Sequence, residues 1–565
     1  MIEYTYLFKI IATVAVVLVA GVWILNSFFI DPKRDLHPVA LNQQSNAAVV
    51  RKEHETAVYR NIVVPPGFPL TTGMGLSLGY KVRNGNFGDV WSASMAQSKD
   101  NYLEFAGEKH SLPKINGLAK TLLSNLLKTF ISGSGESLRV GIVSPVYTLP
   151  GFVFSLATLM GTLKGGDCVP HFLSSVPRQN LNIDILVVDT WNDILMLNGS
   201  QDWYKLIIVC DSEKPQSVSF SNVVSWSSYI EDAKDDFKFD YEPPKDNSDD
   251  NAIMSYNTNP WNQTTSFTHM CLVSSLAAFI KSFPLDTELS EKDHLTFVVD
   301  ESERSVYSIQ IWPKLLAVLL HGGSVSFAER TKLKTWKQFS KNTTLLSVTG
   351  RSSLLESLLN ESTSQSLFNR LKTAWAMNLF SEGVFTRVGE FSENCNNLRC
   401  VYLMNEIKDV EQVSSFPSEV PQLKRGRAQG VLKSTQLNLL RTLLGSRVVS
   451  ELYSPYTLVG PIASTNYYDY RIFPPQVDAT FACFGPISTS LEAKLVDTES
   501  NPELSVDKRQ GMLCVRGFTI GKPVEKERLE KALKLVEKFD GGEGWMPLLG
   551  VFGIWGQDGC FYEYK

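Results

Sequence analysis

Seven histidines, eight cysteines and a few glycine- or hydroxyl-bearing loops hold most of the chemistry this 565-residue sequence could offer. A hydrolytic zinc site needs two histidines one helical turn apart with a glutamate beside them, and a structural one needs closely spaced cysteines. Neither pattern occurs, so no metal site is expected. His269 and His321 stand beside apolar runs and read as structural histidines. Cys210 in LIIVCD and Cys514 in MLCVRG lie in strand-like apolar runs, where a reduced thiol packs as a small hydrophobe. Cys395 and Cys400 in CNNLRC would close a loop disulfide only in an oxidising compartment. The GSGES run, Gly133 to Ser137, precedes a strand, whereas a nucleophile elbow places its serine between a strand and a helix. It reads as a loop, and no catalytic residue is assigned.

The elements that would position any site follow from composition and periodicity. Hydrophobic residues make up 43% and charged residues 20%, a balance that supports packed cores rather than disorder. The net charge of -5 offers no basic excess for a phosphate backbone, so nucleic acid is excluded as a partner. Residues 1–30 form an N-terminal membrane anchor. From Ile10 to Ile30 the chain is uncharged over the roughly 20 residues that span a bilayer, and the run ends on bulky Phe28, Phe29 and Ile30 rather than at a small-residue cleavage site. Lys33 and Arg34, with Arg51 and Lys52 beyond, outweigh Lys9 and place the body in the cytosol. Four N-glycosylation sequons, at Asn198, Asn262, Asn342 and Asn360, point the other way.

Residues 31–52 read as a linker. Residues 53–457 then alternate strand and helix: LRVGIVSPV, the helical GFVFSLATLMG, IDILVVDT, KLIIVCD, HLTFVVDE, IWPKLLAVLLHGG, SVSFAE and TTLLSVTG. Such alternation predicts parallel sheets flanked by helices. EPPKDNSDDN reads as a surface connection, and the stretch from Phe391 to Lys424 as an irregular insertion. From residue 458 to 565, ATFACFGPI, LEAKLVD and GMLCVRGFTI predict a smaller β-rich subdomain.

HETAVYRN, His54 to Asn61, resembles the opening phrase of fungal long-chain acyl-CoA synthetases. The order of further motifs is similar to that family throughout. QGVLKS stands where the family has GGAPLS, ELYSPYT where it has GYGLTE, and LEAKLVD, GMLCVRG and EGWMPLLGVFGIWGQDG where it has VKLVD, GEVWIxG and DGWFKTGDIGxWxxxG. The resemblance implies the large N-terminal domain of the adenylate-forming fold, behind a transmembrane helix. It also implies a mobile C-terminal subdomain that is expected to be absent here, because the sequence ends about where the family's hinge would lie.

The resemblance further implies ATP chemistry, and the matching residues do not support it. Where the family has the phosphate loop YTSGSTGxPKG, this chain has MSYNTNPWNQT. Asn257 and Pro260 replace two glycines and Gln263 replaces the lysine. Proline removes an N–H and fixes φ, where a phosphate cradle needs free amides. Thr457 stands for the glutamate that helps hold magnesium, and Val551 for the aspartate that takes the ribose hydroxyls. No cofactor is therefore expected. The implied protein is a membrane-anchored, non-catalytic acyl-CoA synthetase-like chain of the endoplasmic reticulum or a lipid droplet, a scaffold, regulator or lipid-binding component. Its expected partners are the bilayer, proteins of lipid metabolism and a fatty acyl ligand. Two alternatives stand beside it: an active ligase completed by a partner chain, and a lumenal glycosylated interaction module.

Overall fold

The computed structural model describes residues 2–31, 42–78, 80–97, 100–130, 137–163, 166–211, 221–299, 308–329, 342–350, 352–363, 366–390, 397–407, 431–498, 502–530 and 544–564. The longer helices are α1 (Ile2–Leu25), α2 (Phe87–Gln97), α3 (Leu112–Phe130), α4 (Leu149–Gly161), α5 (His269–Lys281), α6 (Ile311–Leu320), α7 (Ser353–Thr363), α8 (Leu367–Ser381) and α9 (Ser434–Leu444). α1 runs on through a wider π turn to Ile30, and Tyr6–Phe28 is long and apolar enough to cross a membrane, with none of it buried against the body.

Two eight-stranded sheets and one seven-stranded sheet make the body. In the first, strands Val223–Ser225, Leu206–Val209, Ile185–Val188, Leu138–Ile142, Cys168–Leu173 and Ile253–Thr258 are parallel, and Thr264–Thr268 returns antiparallel. In the second, Arg447–Tyr453, Cys400–Glu406, Leu345–Thr349, His294–Val299, Ser324–Glu329 and Tyr102–Phe105 are parallel. Alternation decides which side chains meet. Ile185 and Val187 join the central core, while Leu186 and Val188 face an outer cluster around Trp191. Cys400, Tyr402 and Met404 likewise point inward, and Val401 and Leu403 pack outward against Leu440 and Leu443 of α9. α4 and α6 lie in the central core; each is buried on nearly every side, consistent with sequences that are apolar all round except for Ser155 and Thr158 in α4 and Lys314 in α6. Thr148 caps α4 by accepting from the Gly151 N–H at 3.2 Å, and Gly161 ends it where a Cβ would meet Cys168 at 2.5 Å.

Three expectations need correction. Ser45–Ala47, inside the stretch read as a linker, is a strand of the third sheet, paired with Tyr59–Asn61. The stretch read as irregular contains Cys400–Glu406, whose residues are nearly all buried; a strand covered on both faces shows no alternation to detect. The EPPKDNSDDN connection does lie at the surface as expected, fastened at its end where Asn84 donates to Asp250 at 2.7 Å and Asn86 to Asp249. The boundary at residue 457 is also interwoven: Lys522–Pro523 pairs with the first sheet and Ala463–Ser464 with the second. Cys395, residues 408–430 and Gly133 to Glu136 lie outside the described residues.

The third sheet explains why HETAVYRN and LEAKLVD belong together. Glu55 pairs with Lys494, the Arg60 guanidinium meets Glu492 at 2.5 Å, and Tyr59 stacks on Trp555 with ring centroids 4.2 Å apart. His54 itself is exposed and sits in a left-handed turn.

One ion pair ties the layers. Lys314 of α6 meets Glu451 at 2.5 Å, and each is only 2% exposed. Tyr453 donates to the same carboxylate at 3.1 Å, and the ammonium lies 4.4 Å from the Tyr402 ring centroid. Burial pushes Lys314 down and Glu451 up, and their mutual attraction opposes both shifts. Removing one partner leaves the other charged and dry. Lys314→Met or Glu451→Leu alone should therefore lower stability by about 3–5 kcal/mol, and the double variant should regain most of it, read as urea midpoints.

Three buried histidines set an acid limit. Desolvation holds His171, His269 and His294 down to about 4, against an ordinary 6.5. As pH falls from about 6.5 to about 4 the unfolded chain takes up protons that the folded chain refuses, so stability falls through that window and is level above it. Each histidine contributes at most about 1.4 kcal/mol per pH unit. Urea midpoints measured across this range should fall steeply, and His269→Gln should reduce the slope by about one proton.

Candidate functional site

The hairpin between Ile253–Thr258 and Thr264–Thr268 stands where the resemblance places a phosphate loop. Its tip, residues 259–263, is closed by one side chain. The Asn259 amide oxygen accepts from the Trp261 and Gln263 N–H groups, both at 3.0 Å, and its amide nitrogen donates to Gln263 Oε1 at 3.1 Å. The backbone N–H of Asn259 donates to the Gln263 carbonyl, and that of Asn262 to the Asn259 carbonyl, both at 3.0 Å. Pro260 has no N–H to give. The Thr264 N–H is taken by Glu525 at 2.6 Å. Every amide from 259 to 264 thus has a partner within the protein, and a loop that binds phosphate needs several pointing outward.

Beneath the tip, the structure joins Asn257 to the segment read as the GYGLTE counterpart. Buried Asn257 donates to the Pro455 carbonyl at 3.0 Å. Gln310, at the start of α6, donates to the Pro455 and Leu458 carbonyls at 3.2 and 2.7 Å and accepts from the Gly460 N–H at 2.7 Å. Thr457 is 4% exposed, and its carbonyl accepts from the Gly521 N–H at 2.9 Å. A neutral, buried hydroxyl is a weak substitute for an anionic magnesium ligand. Among the described residues no group of three or more acidic, histidine or cysteine side chains could hold a metal ion.

Val551 lies in the strand Met546–Trp555, whose pairing slips between Met512↔Phe552 and Cys514↔Pro547. Gly550 takes φ 80° in that irregular stretch. Leu548, Leu549 and Val551 are fully buried there, in the same apolar cluster as Leu452 and Leu458. The structure therefore gathers Asn257, Pro260, Gln263 and the Thr457 loop at one edge, while Val551 faces apolar packing shared with that loop. Side chains packed there offer no hydrogen-bond acceptor of their own.

Sequence reasoning passed over Asn259, Gln310 and the Glu525–Arg528 pair. The last grips the base of the hairpin, with Arg528 donating to the Thr264 carbonyl at 3.0 Å. The Asn-Pro dipeptide was a signal for Asn259, since asparagine before proline favours a side-chain-closed turn. Gln310 had none. At the other flank, His269 opens α5: it accepts at Nδ1 from the Phe87 N–H at 3.3 Å and meets Thr162 through Nε2 at 3.2 Å, so the neutral ring donates from Nε2. It borders an open cleft of about 590 Å³ with Thr162, Tyr241 and Tyr256. A second cavity, lined by Ser275, Phe279, Tyr402, Glu451 and Thr489, measures about 90 Å³. That holds a few waters at about 30 Å³ each and is far below the few hundred Å³ of a drug-sized ligand site.

No family model matches the chain. Among solved structures it is similar in fold to the coronafacic acid ligase of Pectobacterium brasiliense, with TM-score 0.52 and 12% identity over 85% of this chain and 78% of that one. The N-terminal domain of FACL13 from Mycobacterium tuberculosis gives TM-score 0.53 at 11% identity, covering 85% of this chain and 100% of that domain. The anthranilate CoA ligase AuaEII, solved with anthranoyl-AMP, gives TM-score 0.53 at 13% identity over 85% and 76%. The body therefore has the adenylate-forming α/β fold seen in acyl- and aryl-CoA ligases. Over 571 residues, 100% of both chains, the sequence is 48% identical to YHR045W, an uncharacterized protein of Saccharomyces cerevisiae, and the chain belongs to the family of that yeast protein.

Proposed function

We propose that this chain is a membrane-tethered, non-adenylating member of the acyl-CoA ligase fold, which acts by binding partners in lipid metabolism rather than by activating fatty acids. The observation that supports this most directly is the closed hairpin, in which Asn259 and Glu525 take the amides a phosphate would need. Thr457 and Val551 support it separately, through the missing anion and the missing acceptor.

The tether is α1, with the body on the cytosolic face of the endoplasmic reticulum membrane or a lipid droplet. Lys33 and Arg34 support that side. Asn198, Asn342 and Asn360 are exposed, so a lumenal body would carry glycans. Resistance of the membrane-bound protein to endoglycosidase, with protease access on intact microsomes, is the expected result.

Full-length protein in detergent, given ATP, magnesium and oleate, should form no oleoyl-adenylate and release no pyrophosphate above a no-enzyme control. Oleate-dependent pyrophosphate release that is abolished by Gln263→Ala or Thr457→Ala would overturn the proposal.

A further inference from the structure

α8 carries an apolar stripe that nothing in the described body covers. Leu367 is 79% exposed, Phe368 71%, Leu371 71% and Trp375 46%, while Ala376, Leu379 and Phe380 toward the C-terminal end are buried. At 100° per residue, the four exposed side chains fall within about a 100° arc. Contiguous exposed apolar patches beyond a few hundred Å² mark interaction sites.

Two features favour a bilayer as the occupant. The first is composition: LFNRLKTAWAMNLFS holds Arg370 and Lys372 and no acidic residue, and its tryptophan lies on the apolar stripe. Basic residues beside leucine, phenylalanine and tryptophan suit a helix lying in the headgroup region of an anionic membrane. The second is the tether. The chain enters the body at Gln44, whose side chain reaches Asp469 at 3.5 Å; the next residue, Tyr470, meets Phe380 of α8 with ring centroids 5.4 Å apart. Leu367 lies about 20 Å along the helix from Phe380, and the thirteen residues from Asp31 to Gln43 can span about 40 Å. A bilayer that holds α1 is therefore within reach of the whole stripe.

The geometry points to α8 as a second membrane contact, an interfacial helix that lays Leu367, Phe368, Leu371 and Trp375 into the headgroup region of the membrane that holds α1. This rests on the membrane-tethered reading of α1. Docked this way, the body is held against the lipid surface in one orientation, instead of swinging on its linker.

The test uses the full-length chain with Cys395→Ser and Cys483→Ser, reconstituted in phosphatidylcholine vesicles containing phosphatidylserine. An environment-sensitive fluorophore is placed through Leu371→Cys, or through Asp202→Cys on the exposed turn beyond the first sheet as control. Doxyl-labelled lipids should quench the Leu371→Cys probe about twofold while leaving the control unchanged, because an interfacial helix sits some 5–10 Å into the headgroup and acyl boundary. Leu367→Ser, Phe368→Ser and Trp375→Ser together should abolish that quenching; exposed substitutions of this kind leave folding nearly unchanged. Flotation with the vesicles reads the tether separately, so a chain that fails to float refutes the anchor. A chain that floats while the probe stays open to aqueous iodide and untouched by doxyl lipid overturns the proposal for α8. Shielding from both quenchers, or energy transfer between probes that grows with protein density, overturns it in favour of a protein partner or a second copy.

Discussion

The layers of this molecule meet at the Lys314–Glu451 pair. Lys314 belongs to a helix of the central core and Glu451 to a strand of the second sheet, two residues before the end of that strand, where the loop facing the closed hairpin begins. A dry ion pair tolerates neither separation nor the loss of one member. It fixes α6 against Arg447–Tyr453, and Gln310 at the foot of the same helix then fixes residues 455–460. The 455–460 loop is consequently held from below by an ion pair and a glutamine, and meets the hairpin through Asn257.

That rigidity bears on chemistry. Nucleotide binding at a loop depends on backbone amides that have no better partner, and on charges placed to receive the phosphates. Here the amides close on Asn259 and Glu525, Gln263 is tied to Asn259, and Leu548, Leu549 and Val551 pack in one apolar cluster with Leu452 and Leu458. These features lie on separate elements, the hairpin tip and the strand Met546–Trp555, so changing one residue would leave the other packed as it is.

The third sheet shows a different dependence. Its edge is made by Ser45–Ala47 and Tyr59–Asn61, so the chain is part of the body by residue 45. Glu55 with Lys494, Arg60 with Glu492 and Tyr59 on Trp555 fasten that entry point.

Local sequence determined much of this. Unbroken apolar runs specified the strands Ile185–Val188 and Leu206–Val209 and the apolar length of α1, and the replacements at Pro260, Gln263 and Thr457 were visible as residue types. Only tertiary structure decided the rest. Cys400–Glu406 was hidden because burial on both faces erases alternation, and Ser45–Ala47 because so short an edge strand is defined by its partner. Lys314 and Glu451 stand 137 residues apart, and nothing local marks either as one half of a buried pair. The exposure of Leu367, Phe368, Leu371 and Trp375 was equally undetermined, since an amphipathic pattern says which residues share a face and packing says whether that face is covered.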